Sequence, residues 1–136
     1  PKVYGMLKPG GAFARCANHP NRDPNHPEMH EALQEVYAVY MPGTRNDKIY
    51  GEEEARERAE AAARYGFVDI QYKLYHRVRT FTAAEYVQLL CTYSDHVALE
   101  EEKRKRFFAE IRQVIERLGG EISIYDTLDL QLARRP

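Results

Sequence analysis

The sequence is short of the features that usually announce a protein class. It has two cysteines, Cys16 and Cys91, in 136 residues. That is no disulfide framework, and it fits a reduced, cytoplasmic setting. Neither sign of charge dominates, with 20 Lys+Arg against 21 Asp+Glu and a net charge of −1. A general electrostatic affinity for nucleic acid or for a membrane surface is therefore not expected. No apolar run approaches the ~20 residues of a membrane span, and no signal-peptide pattern opens the chain. Repeats, low-complexity tracts and flexible linkers are missing too. A single domain or part of one is expected, long enough to bury a core. The start, Pro1-Lys2-Val3-Tyr4, has no initiator Met and runs straight into a structured motif, which suggests a fragment or a processed chain.

Two further absences bear on chemistry. His19, His26 and His30 lie near Asp23, but without HExxH or CxxC spacing they read as exposed polar residues of a loop, not as a metal site. Cys16 near His19, and Cys91 near His96, fall in no familiar nucleophile signature. The adjacent glycines, Gly10-Gly11 and Gly119-Gly120, both follow helical patterns. No glycine-rich turn joins a strand to a helix in the order that a nucleotide site requires.

What is present is a clear alternation of elements. Residues 67–80 read FVDIQYKLYHRVRT, with Val68, Ile70, Tyr72, Leu74, His76 and Val78 on one face. Period-2 alternation with β-branched and aromatic residues predicts a long strand with one buried face. Lys8-Pro9-Gly10-Gly11 stops a helix, and residues 12–17 (AFARCA) read as a short buried strand. Residues 18–27 are rich in Asn, Pro and His and read as loop. A helix follows from Pro27 to Met41, with Met29, Leu33, Val36, Tyr37 and Tyr40 as its stripe. Residues 52–65 are Ala- and Glu-rich with basic partners at helical spacing, a helix that Gly66 ends. Thr82 and Glu85 form a capping box before Tyr86, Leu89, Leu90 and Tyr93. A last helix, 100–118, carries Phe107, Phe108, Ile111, Val114, Ile115 and Leu118 on its core face. Residues 121–133 form the final strand, with Ile122, Ile124, Leu128, Leu130 and Leu132 on one face, interrupted by Asp126. Helices around a sheet make this an α/β chain.

Ten tyrosines supply core volume with a polar tip. A few of them facing one pocket with His76, Arg77 and Arg79 would suit a polar, anionic small molecule. If the last two strands pair, His76 and Asp126 are expected near each other as a satisfied buried polar pair. The basic run at residues 103–106 follows acidic residues 100–102 on one helix and reads as a solvated face.

Several segments together resemble the C-terminal half of class I S-adenosylmethionine-dependent methyltransferases, of the type 11, trans-aconitate methyltransferase-like subgroup. Leu7-Lys8-Pro9-Gly10-Gly11-Ala12-Phe13-Ala14 resembles the turn into the fifth strand. Gly66-Phe67-Val68-Asp69-Ile70 resembles the sixth strand, and Leu130-Gln131-Leu132-Ala133-Arg134-Arg135 the seventh. Residues 80–90 and Thr92-Tyr93-Ser94-Asp95-His96 resemble the helical insertion of that subgroup. The resemblance implies a portion of a Rossmann-like sheet, strands five to seven with helical insertions, in which the seventh strand runs antiparallel between the other two. It divides the single partial domain into 1–17 (helix end and fifth strand), 18–66 (acceptor-side loop and helices), 67–80 (sixth strand), 81–118 (helical insertion) and 121–133 (seventh strand). The implied cofactor is S-adenosylmethionine, but its glycine-rich turn and its acid have no counterpart in these residues. The implied partner is a small-molecule acceptor, perceived through Arg15, Asn18, Tyr37, Tyr40, Tyr75, Tyr93 and Ser94, with His19 or His96 as a general base. Such a piece is expected to be inactive by itself. The rival readings are a module that forms homo-oligomers through an exposed sheet edge, or a non-catalytic small-molecule binder.

Overall fold

The structure is a computed structural model that describes residues 2–45 and 47–136. Gly119 and Gly120 turn the chain with φ of +124° and +86°, a conformation that glycine adopts without steric cost. They lead into β3 (Glu121–Arg134), which lies between β1 (Ala12–Asn21) and β2 (Val68–Thr82). β1 runs antiparallel to β3, in register from Ala12 opposite Arg134 to Asn21 opposite Tyr125. On the other side His76 bonds to Thr127 and Arg77 to Asp126, so β2 is also antiparallel to β3. β1 and β2 therefore share a direction, with a reversed strand between them. The fold is α/β, a three-stranded antiparallel sheet with helices.

The chain forms two compact units. The first holds residues 2–21, Ile49–Arg77 and Tyr125–Pro136; the second holds Arg22–Lys48 and Val78–Ile124. In the first unit, α1 (Lys2–Met6) leads into the Lys8-Pro9-Gly10-Gly11 turn. The basic pair at the end of β3 secures that turn. Arg134 donates to Gly10 O at 3.2 Å, and Arg135 donates to Tyr4 O at 3.2 Å and to Leu7 O. Cations at free carbonyls beside a helix C-terminus are favoured by its dipole. α2 (Pro27–Tyr40) belongs to the second unit, and α3 (Glu52–Glu60) to the first. Ala55 and Ala59 are the buried residues of α3, and their small side chains let the helix lie close to its neighbours. The helix predicted over 52–65 is α-helical only to Glu60. Ala61–Tyr65 tighten into a 3-10 turn that ends at Gly66, whose φ is +88°.

The second unit packs α2 against α6 (Glu101–Arg117), with α4 (Ala83–Leu90) and the single turn α5 (Ser94–Val97) completing it. Phe107, Ile111, Val114 and Ile115 of α6 are buried with Met29, Leu33 and Leu90, as their i, i+4, i+7 and i+8 spacing requires. Thr82 Oγ1 accepts from the Glu85 amide while Glu85 accepts from the Thr82 amide at 2.8 Å, which is the expected capping box. Among the described residues, no helix is long and apolar enough to cross a membrane.

Three expectations need correction. First, β1 does not stop at Ala17 but continues through Asn18, His19 and Pro20 to Asn21, with alternate residues exposed. It is an edge strand, and an edge tolerates a proline because one row of its N–H groups has no ladder partner. Second, neither long strand buries one face throughout. In β3, Ile122, Ile124 and Asp126 are buried, and then Thr127, Asp129, Gln131 and Ala133. In β2, Ile70, Tyr72 and Leu74 are half-buried, and then Arg79 and Phe81, leaving Val78 exposed. The buried parity switches at His76–Arg77 in one strand and at Asp126–Thr127 in the other. Third, the strands pair, but the expected buried pair is not buried on both sides: Asp126 is buried, whereas His76 is exposed. His76 Nδ1 lies 3.3 Å from Thr127 Oγ1, and Asp126 is buried between Asn18 and Arg77.

Candidate functional site

In the first unit β1 and β3 present a line of polar side chains on one face. Arg15 is opposite Gln131, Ala17 opposite Asp129, and His19 opposite Thr127. Asp129 and Gln131 are buried, and a buried carboxylate needs strong donors. Asp129 Oδ2 accepts from Tyr50 OH and from Gln131 Nε2, each at 2.7 Å. Gln131 Oε1 in turn accepts from Arg15, whose Nη2 also donates to the Arg58 carbonyl at 3.0 Å. The imidazole of His19 stacks on the Tyr50 ring, centroids 3.6 Å apart and planes 3° from parallel.

Three buried polar atoms here have no hydrogen-bond partner among the described residues: Arg15 Nε, His19 Nε2 and Asp129 Oδ1. Burial, with the Arg58 guanidinium nearby, lowers the His19 pKa against the opposing pull of Asp129. The fold thus favours the neutral over the charged imidazole of His19. Burial and the bond to Asp129 push the Tyr50 phenol up to about 12.

Beside this network is a cavity of about 350 Å3. Tyr4, Phe13, Phe67 and Ile70 give it apolar walls, while Arg15, Arg58 and Gln131 give it a polar side. The Phe13 and Tyr4 rings both pack on Phe67, at 5.5 and 5.2 Å.

The second unit holds the other predicted base. His96 is 4% exposed. Its Nδ1 lies 2.8 Å from Asp95 Oδ1 and its Nε2 2.8 Å from Tyr37 OH. The Tyr93 and Phe107 rings flank it at 5.5 and 5.6 Å. Burial holds the Tyr37 phenol far above its ordinary range and pushes Tyr86 up to about 12. The bond from His96 holds Asp95 below the ordinary carboxylate value.

These shifts give a pH dependence with a definite sign. A tyrosine whose pKa is raised by folding stabilises the fold below the unfolded value, about pH 10, and this contribution is lost as the pH rises. Asp95, depressed in the folded state, contributes above about pH 4 and is lost as the pH falls through its folded value. The tyrosines should therefore make the stability of the second unit fall above about pH 10. Tyr37→Phe should reduce the alkaline slope by about 1.4 kcal/mol per pH unit in urea titrations. An unchanged slope would mean that Tyr37 is not held protonated by the fold.

The predicted site residues thus divide between the units. Arg15 and His19 share the polar network of the first. Asn18, also in the first unit, is on the opposite face of β1, donating to Asp126 at 2.9 Å. Tyr75 is exposed, with Lys73 Nζ 5.0 Å over its ring. Tyr37, Tyr93 and His96 cluster in the second unit, where Tyr40 donates to Glu110 at 2.5 Å and the exposed Ser94 begins α5. Sequence reading missed Tyr50, Arg58, Asp129 and Gln131. The signal for the last two was a polar residue at every second position of an otherwise Leu-rich strand.

No protein-family model matches the chain, and no curated protein matches it. Among solved structures, a "putative methyltransferase" from Bacillus halodurans C-125 aligns with 99% of this chain at 18% identity and a TM-score of 0.42. The chain spans 60% of that protein's length.

Proposed function

We propose that this chain is the acceptor-side, C-terminal part of an S-adenosylmethionine-dependent methyltransferase of small molecules. The observation that supports the reading is the strand order β1-β3-β2 with β3 reversed. This is the arrangement implied by the resemblance of these three strands to the fifth, seventh and sixth of that family. The residues present do not fit the methyl donor. The two strand-to-helix passages, Asn21 to Pro27 and Thr82 to Ala83, contain no glycine, so neither offers the close backbone approach of a nucleotide site. In this reading the chain's own part is to orient an acceptor and exclude water around it.

The test is calorimetric titration of S-adenosylmethionine into two samples, the 136-residue chain and the product of its complete reading frame. Binding is expected in the second and not in the first. No binding in either would overturn the proposal, and binding to the short chain would overturn the assignment of the donor site to residues outside it.

A further inference from the structure

We infer that the cavity of the first unit binds a small carboxylate carried on an aromatic or short aliphatic body. It rests on the proposed reading for Arg15, which the resemblance places on the acceptor side, and adds Arg58 and Gln131, which the resemblance leaves unassigned; binding itself can be read without methyl transfer. The argument begins with charge. Both hydrogen bonds of the Arg15 guanidinium go to uncharged oxygens, Arg58 O and Gln131 Oε1, and its buried Nε has no partner among the described residues. A half-buried cation with a spare donor favours an anion, and a guanidinium favours a planar carboxylate above all. Arg58 lines the same cavity and adds a second positive charge. The neighbouring carboxylate, Asp129, spends Oδ2 on Tyr50 and Gln131 and has no hydrogen bond to Arg15, which it reaches through Gln131; its Oδ1 has no partner among the described residues.

Shape supplies the rest. The apolar walls include Tyr4, Phe13, Phe67 and Ile70, three rings and an aliphatic side chain without charge. A volume of about 350 Å3 lies at the small end of the range for ligand sites. A free inorganic anion would leave those walls in contact with water, whereas an aryl or alkyl carboxylate covers them. Gln131 fixes the geometry, because its amide ties the Arg15 head to Asp129.

The experiment uses 3-phenylpropionate as probe, with 3-phenylpropionamide and inorganic phosphate as comparisons, followed by heteronuclear NMR of the 136-residue chain. 3-Phenylpropionate should bind saturably and shift the resonances of Phe13 and Phe67. The neutral amide and phosphate should each bind at least about tenfold more weakly. Arg15→Gln should lose affinity for the carboxylate by about tenfold or more while keeping that for the amide. Should Arg15→Gln fail to fold, Arg58→Gln serves instead. Its backbone carbonyl still receives Arg15, and it should lower carboxylate affinity alone. The inference is overturned if 3-phenylpropionate gives no saturable shifts. Equal binding of acid and amide, equal binding of phosphate, or an unchanged affinity in the folded arginine variant would overturn it as well.

Discussion

Phe107→Ala is expected to destabilise the second unit by about 3–5 kcal/mol, the cost of deleting a fully buried aromatic side chain whose cavity cannot collapse. Phe107 is 0% exposed. Its ring meets Tyr37 edge-on at 5.0 Å, Tyr40 at 5.5 Å, Phe108 at 5.5 Å and His96 at 5.6 Å. These neighbours hang from three different helices, so no single side-chain rotation refills the space. The same ring holds Tyr37 and His96 at their 2.8 Å contact, and that contact should loosen in the variant. Urea denaturation followed by circular dichroism gives the stability, and hydrogen exchange of the α6 amides locates the loss. Phe108→Ala, at a half-buried neighbour, should cost clearly less. A loss below about 1 kcal/mol for Phe107→Ala would mean that the ring is not packed as described.

Asp129→Ala is expected to cost about 2–4 kcal/mol, because two charge-assisted bonds vanish: Tyr50 OH loses its carboxylate acceptor, and Gln131 Nε2 keeps only its 3.4 Å bond to Ala55 O. The more telling result is spectroscopic. With the carboxylate gone, the Tyr50 phenol should titrate below its value of about 12, while burial, the larger cause, keeps it above an ordinary tyrosine. Asp129→Asn should shift the titration in the same direction but by less, and at a smaller cost in stability, since the amide oxygen still accepts a bond but carries no charge. NMR of 13C-labelled tyrosine reads both. If Tyr50 titrates alike in Asp129→Asn and the parent, its pKa is set by burial alone, and the link to Asp129 is not electrostatic.

The helices of the second unit were legible because their signals are local. The stripe Met29–Leu33–Val36–Tyr40 and the Thr82–Glu85 box need no knowledge of distant residues. The strands were legible as strands but not in their burial, because which face is covered depends on partners elsewhere in the chain. The Leu residues at 128, 130 and 132 suggested the buried side, whereas Thr127, Asp129 and Gln131 are the buried ones. They bond to His76, Tyr50 and Arg15, contacts that span 51 to 116 positions. Composition also misled at residues 18–21, where Asn, His and Pro suggested a loop. The order of the strands came from resemblance, not from periodicity, and the site followed the same rule. Arg15 and His19 were visible on β1, but the groups that make them a network arrive through register and remained hidden.

Gly66 couples two positions that are far apart in the sequence. Its φ of +88° would already confine the site to glycine and, at some strain, to Asn or Asp. A Cβ there would also sit 3.3 Å from the Tyr4 ring, the ring that Arg135 grips from above at 4.8 Å. Asn and Asp, which the backbone alone would admit, must therefore push back by a few tenths of an ångström an aromatic ring that Arg135 also holds. In a library randomised at both positions, side chains at 66 should survive only where residue 4 has lost its ring. The two sites would then be inherited together, as a pair that drifts jointly or stays fixed.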